Sequence, residues 1–217
     1  MDTNKLNSII NERLPQRIVA AALGLMLCGV GVSTGLFSGL GVDPASVFQQ
    51  GLANMLNISY GMGSALMNMM ILLIVFFIDR KYINIGTAMA IFLIGFTAEY
   101  FSKLLGLILD VQSLHLVFKL TMVFVGCAIM SIGIAIYIRS DLGVGAVDLV
   151  SEITSKKFPV PYRWVRIAWD IIFVVTGYFM GGTVGVGTVI MAFCTGPIVQ
   201  YVRPFVYKIM DPFVNSK

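Results

Sequence analysis

The sequence predicts an all-α polytopic membrane protein: six transmembrane helices in two inverted three-helix repeats, each with a short non-spanning helix after its first span. Three observations predict it. Hydrophobic residues make up 58% of the 217 and charged residues 12%, with a mean hydropathy of +0.89, whereas a soluble fold carries roughly 25% Asp, Glu, Lys and Arg. The apolar residues fall in runs of about 17–25, the length that crosses a hydrocarbon core of roughly 30 Å. Two glycine-rich breaks, Leu40-Gly41-Val42-Asp43-Pro44-Ala45-Ser46 and Leu142-Gly143-Val144-Gly145-Ala146-Val147-Asp148, lie 102 residues apart, each behind a long apolar run and ahead of a short polar segment.

In chain order, residues 1–16 carry Lys5 and Arg13 and read as a cytoplasmic tail or a short surface helix. Span 1 runs from Arg17 to Ser38, and is long enough to remain as a span, so no cleaved signal is expected. Its Gly31, Gly35 and Gly39 form a small-xxx-small stripe that allows close helix approach, inside the monomer or at a homodimer face. The segment Leu40 to Tyr60 has no Lys or Arg; Asp43 reads as an N-cap and Pro44 as the first helical residue of a helix of about 12 residues. Span 2 covers Gly61 to Ile78 and ends at Asp79-Arg80-Lys81. Span 3 begins near Ile83 and ends between Phe101 and Leu109, so residues 17–101 form the first repeat and 102–118 a connection holding Asp110 and His115.

Span 4, Leu116 to Ile138, stops at Arg139-Ser140-Asp141 and opens the second repeat, taken as residues 119–202. A short segment from Val147 to Phe158 follows, closed by Pro159 and Pro161. Span 5 covers Trp164 to Met180, Gly181-Gly182 make a turn, and span 6 runs from Val184 to Val202 before a cytoplasmic tail, 203–217. Lys and Arg concentrate in both tails, after span 2 and around the second short segment, while the connections after spans 1 and 5 have none. The positive-inside rule then puts both termini in the cytoplasm. Should the short segments also cross, there would be eight crossings and parallel repeats; their polarity argues against it.

The duplication rests on glycines and polar residues. Shifted by 102, Gly24, Gly31, Ser38, Leu40, Gly41 and Val42 meet Gly126, Gly133, Ser140, Leu142, Gly143 and Val144, and Asn68 meets Asp170. Shifted by 101, Ile85-Gly86-Thr87, Phe92, Gly95 and Glu99-Tyr100 meet Val186-Gly187-Thr188, Phe193, Gly196 and Gln200-Tyr201. Three spans per half is an odd number, so the second half enters the membrane inverted, as in many secondary transporters. Irregular backbone at membrane depth is tolerated where it is buried in protein or lines a wet cavity, so the breaks point to a cavity between the halves.

Residues Asp141 to Asp148, Trp169-Asp170, and Gly185-Val186-Gly187-Thr188 with Gly196-Pro197 carry a resemblance to the YczE/YitT type of bacterial integral membrane protein, extending from about residue 17 to 203. The resemblance implies a small carrier.

Asp170 leads the candidate site residues. An acid near the bilayer centre costs about 2.5–3.5 kcal/mol on insertion scales, and intramembrane ionisable groups are functional by default. Its plain role is a partner for Arg166, one turn earlier; its functional role is a proton carrier or counter-charge, with Asn68 as the neutral equivalent in span 2. Asp148 and Ser46 are candidate ligands or helix caps, with Asp43 competing for the cap. Gly41, Gly143 and Gly145 either let backbone approach a ligand or supply tight turns. Glu99 with Lys103 reads mainly as an i,i+4 ion pair; Gln200, Gln49 and Glu152 are weaker candidates for a polar path.

Several classes are excluded. There is no phosphate loop or His-Glu-x-x-His, the single histidine cannot build a Ser-His-Asp set, and Cys28, Cys127 and Cys194 sit in separate apolar runs without metal spacing. No cofactor, metal, nucleic-acid partner or enzymatic activity is expected. The expected partners are a small-molecule solute and the bilayer, with a homodimer as an option. A secondary carrier, proton-coupled through Asp170, is the leading expectation; a small channel and a non-transporting scaffold subunit are the alternatives.

Overall fold

The computed structural model describes residues 13–78, 85–143, 145–158 and 160–214. The expected features at residues 1–12, at Asp79-Arg80-Lys81 and Ile83, and at Val144, Pro159 and Lys217 lie outside the described residues. Among the described residues the chain forms eight α-helices and no strand. They are α1 (Leu14–Ser38), α2 (Pro44–Leu56), α3 (Tyr60–Ile78), α4 (Ile85–Ile108), α5 (Leu116–Ser140), α6 (Ala146–Lys157), α7 (Tyr162–Phe179) and α8 (Val186–Val214).

Five of them, α1, α3, α4, α5 and α8, are long and apolar enough to cross a membrane. The sixth expected span, α7, is 18 residues long but carries Arg163, Arg166 and Asp170, which pull it below its neighbours in hydropathy. Helix α8 continues past the expected end at Val202 to Val214, through Pro197, Pro204 and Pro212. Its added turns are held by an Arg139–Asp211 ion pair of 2.5 Å and by Tyr207, whose ring lies 5.2 Å from the Arg139 guanidinium carbon and 5.0 Å from that of Arg203.

The two breaks form because backbone sterics stop the first helix of each half. Helix α1 ends on Gly39 at φ +68°, and α5 ends on Asp141 at φ +53°, the residue 102 positions on. Left-handed backbone of this kind ends a helix. Gly41 and Gly143, again 102 apart, follow at φ +107° and +132°, a region that side chains other than glycine's rarely enter. Asp43 then caps α2, its Oδ2 accepting from the Ser46 N–H at 3.2 Å with Pro44 as the first helical residue, as expected.

Helix α1 packs on α5 and α4, α5 on α8, α2 on α3 and α7, and α6 on α3 and α7. The α1–α5 contact is glycine on glycine: a methyl at Gly31 would stand 2.5 Å from the Gly126 carbonyl oxygen, and one at Gly24 would stand 2.8 Å from that of Gly133. A shift of 102 residues exchanges these two contacts. Between them Cys28 Sγ lies 3.6 Å from the carbonyl oxygen of Met130, its own equivalent under that shift. Gly31 and Gly35 of the predicted stripe are therefore used within the chain, Gly31 against α5 and Gly35 against Gly41 and Val42. The second half's break meets the first half's last helix, and the reverse: Gly86 N–H donates to Leu142 O at 3.0 Å, and Gly187 N–H to Leu40 O at 2.8 Å.

Helices α2, α3, α6 and α7 enclose the largest apolar cluster, with Met67, Val75 and Leu149 fully buried beside Leu52, Ile153 and Phe173. Trp169 and Phe48 flank Phe173, at 5.6 and 5.7 Å between ring centroids.

Candidate functional site

Polar side chains gather in each half beside its break, in α2–α3 and in α6–α7. At the second break Asp148, in the first turn of α6, accepts from Tyr162 OH at 2.9 Å and pairs with Arg166 Nη1. Arg166 Nε also donates to both carboxylate oxygens of Asp170, each at 3.2 Å. The guanidinium thus bridges a carboxylate one turn on along its own helix to one on the preceding short helix. Side-chain exposure is 32% for Arg166, 27% for Asp170 and 49% for Asp148, so the group is half-open rather than sealed.

At the first break the equivalent residues repeat the arrangement without charge. Tyr60 OH, 102 before Tyr162, lies 3.0 Å from Ser46 Oγ and 2.9 Å from Gln49 Oε1. Asn68 Nδ2 donates to Ser64 O at 2.9 Å, where Ser64 and Asn68 stand for Arg166 and Asp170. Ser46 and Gln49 are buried, at 3% and 6% exposure.

Asp43 completes the first constellation. One carboxylate oxygen caps α2, while Oδ1 is buried with no hydrogen-bond partner among the described residues. Burial raises its pKa above the ordinary 3.8, and the Ser46 hydrogen bonds and the Arg166 charge pull it back only in part. Its equivalent by the shift, Gly145, is the N-cap residue of α6 and offers no side chain.

The other predicted site residues divide. Asp148 and Ser46 are not caps: both sit in the first helical turn, and Gly145 and Asp43 hold the cap positions. An acid in the first turn still favours the positive end of the helix dipole, and the Asp148 carboxylate is turned to α7. Gly41 faces protein, since a methyl there would stand 2.8 Å from Gly185 N and would collide with Thr188 Oγ1. At Gly145 a methyl would meet Asp148 Oδ2 at 3.6 Å, and Gly143 serves the positive-φ turn. Glu152 pairs with Lys156 at 2.6 Å on the surface, and Gln200 is exposed on α8. Glu99 makes the expected pair with Lys103, 2.5 Å, and its other oxygen accepts from Gly61 N–H at 2.8 Å, capping the start of α3. A cavity of about 570 Å³ is lined by Phe37, near the end of α1, and by residues 106–111 at the end of α4; none of the predicted site residues lines it.

Tyr60, Tyr162 and Ser64 were not singled out from the sequence. The signal was present, because the shift of 102 pairs Tyr60 with Tyr162 and Ser64 with Arg166. Tyrosine and serine are common enough in spans that such matches carry little weight alone.

Over 182 residues the chain is 26% identical to the uncharacterised membrane protein YczE of Bacillus subtilis (strain 168), covering 83% of this chain and 82% of the relative. It is 27% identical over 177 residues to an uncharacterised protein of Haemophilus influenzae, covering 82% and 78%. It is 21% identical over 186 residues to the uncharacterised protein YyaS of Bacillus subtilis, covering 86% and 92%. No solved structure matches significantly. These matches, with five apolar helices of membrane-crossing length, make it a membrane protein of the YczE type. Residues 15–204 match the family of unknown function DUF6198, and the chain belongs to that family.

Proposed function

We propose that this protein is a secondary carrier for a small solute, built as two inverted repeats of three spans with its site between the halves. The observation that carries the reading is the twofold exchange of contacts: Gly24–Gly133 with Gly31–Gly126, and Gly86–Leu142 with Gly187–Leu40. Interrupted helices meeting across such an axis are what alternating access uses.

A sixth crossing by α7 is supported by where the chain ends meet. Arg13 donates to the Pro212 carbonyl at 3.0 Å, and Arg17 donates to the Ser140 carbonyl at 2.8 Å, so the start of α1 and the ends of α5 and α8 share one side. Both ends on one side require an even number of crossings. Helix α7 starts beside Asp148 and ends beside α2, where Asn54 Nδ2 donates to Gly181 O at 2.7 Å. Its 18 residues rise roughly 27 Å at 1.5 Å each, close to the hydrocarbon thickness. The shared side carries Arg13, Arg17, Arg139, Arg203 and Lys208, which favours the cytoplasmic face of a bacterial inner membrane for both termini.

The site is the Asp148–Arg166–Asp170 group with its neutral counterpart Ser46–Tyr60–Ser64–Asn68. Acids outnumber the single guanidinium, which favours a cation over an anion. We place the protein outside enzyme classes, because its polar side chains pair among themselves beside the helix breaks rather than forming a nucleophile–base pair.

The test is ligand-induced thermal stabilisation of the purified protein against metabolites, drugs and cations at several pH values, with Asp170→Asn alongside. A ligand that binds only the folded state raises its stability by mass action, by about 2.7 kcal/mol at a hundredfold excess over Kd. A shift lost in Asp170→Asn, followed by saturable flux in liposomes, bears the carrier out; non-saturating flux makes it a channel. Full transport by Asp170→Asn removes that residue from the mechanism. An intact fold that answers no compound moves the weight to a scaffold subunit.

A further inference from the structure

We propose that Asp43 is a proton-binding site of this protein, carrying a proton at neutral pH on the carboxylate oxygen left unpartnered behind the α2 cap. Two independent features of the structure lead there. The first is the orphaned oxygen: Oδ2 accepts from Ser46 N–H, whereas Oδ1 is buried with no hydrogen-bond partner among the described residues. A buried carboxylate oxygen without a donor loses its hydration for nothing in return, and protonation removes the charge that makes this costly. The second is the distribution of cation. Arg166 is held between Asp148 and Asp170, so the guanidinium nearest in the field of Asp43 is already bound by two other acids.

Among the described residues, groups that act electrostatically on Asp43 or feel its charge include Cys28 on α1, Tyr60 on α3, Cys127 on α5, and Arg166 and Asp170 on α7. Helix α8 reaches this region through Thr188, against Gly41, and Met191, against Gly35, and on α2 itself Ser46 bonds the Asp43 carboxylate. Arg166 is the one cation in this set. The direction of the Asp43 pKa, raised by burial against the pull of Arg166 and the Ser46 hydrogen bonds, agrees. The duplication sharpens the assignment. The second half has glycine at the equivalent position, and its first-turn acid, Asp148, is already paired. That loading and unloading of this proton accompanies solute movement rests on the carrier reading above; protonation of Asp43 does not.

Infrared spectroscopy of the full chain in liposomes reads the proton directly. The wild type is expected to show, at neutral pH, a carboxylic-acid carbonyl band that shifts in deuterium oxide and disappears in alkali. Asp43→Asn keeps a capping side chain and imitates the neutral form; Asp43→Ser is a second capping choice should the first not fold. Both should lose the band, and Asp170→Asn should keep it. Absence of the band in the wild type, its survival in a folded Asp43 variant, or its loss in Asp170→Asn overturns the assignment.

Thermal unfolding gives an independent readout. Folded Asp43 holds its proton more tightly than the unfolded chain does. Its stabilising contribution is therefore full below the ordinary value of 3.8 and lost as pH rises through the folded value. The wild type should lose stability relative to Asp43→Asn over that range, and parallel curves would refute the idea. Neither readout involves transport, so the proposal stands or falls apart from the carrier reading.

Discussion

Removing one hydroxyl from each half tests whether the two polar constellations differ in the way their surroundings imply. In Tyr60→Phe, Ser46 Oγ and Gln49 Oε1 both lose a partner that lies 3.0 and 2.9 Å away. Both residues are nearly sealed from solvent, so water cannot replace the hydroxyl without opening the α2–α3 contact. A buried polar group left unsatisfied costs about 1–3 kcal/mol, but side-chain hydrogen bonds in membrane proteins run lower, with a maximum near 1.7 kcal/mol. A loss of about 1–2 kcal/mol is therefore expected. In Tyr162→Phe the acceptor is Asp148, which keeps Arg166 and is 49% exposed. Water takes the vacant lone pair, and the expected loss is about 0.5 kcal/mol or less, in line with exposed polar pairs. Equilibrium unfolding of both variants in mixed micelles measures the difference. Equal losses, or a larger loss at Tyr162, would refute the claim that the neutral half is the sealed one.

Two glycine predictions follow from backbone contact. Gly31→Ala and Gly126→Ala each put a methyl against the opposing helix, with 2.5 and 2.7 Å to the facing carbonyl oxygens, and each should cost about 1–3 kcal/mol as overpacking. The double variant should cost less than the sum, because the helices separate once, and strict additivity in a double-mutant cycle would contradict the shared contact. Gly41→Ala combines a φ of +107° with a clash against Thr188 and should lower the midpoint of thermal unfolding well beyond Gly196→Ala, whose methyl meets nothing within 4 Å. Similar midpoints would mean that the first break does not bind the start of α8.

Much of the fold was legible because hydrophobic run length and charge placement are local properties. The runs ended where Gly39 and Asp141 take left-handed backbone, and the Asp43-Pro44 pair marked the start of α2 within its own few residues. The site was legible only in part. Asp170 stood out as an acid in an apolar run, and its pairing with Arg166 follows from i,i+4 geometry. That Arg166 also reaches Asp148 depends on how α6 folds back on α7. Gly41 was read as a close approach for a ligand or as a tight turn; it makes the turn, at φ +107°, and the space beside it is filled by Gly185 and Thr188 at the start of α8, 144 and 147 residues on.

The sequence by itself determined the membrane class, the two breaks and the 102-residue correspondence, since each is written in residue types along the chain. The tertiary structure alone decided which correspondences touch. Glycine pairs across α1 and α5, and the exchange of breaks between α4 and α8, arise from helix packing in three dimensions. It also decided that the same arrangement of tyrosine, first-turn residue and one-turn pair is charged in one half and neutral in the other. Asp43 stands beside the neutral half with an oxygen that burial leaves unanswered. Burial and partner count belong to the packed chain, and residue order cannot express them.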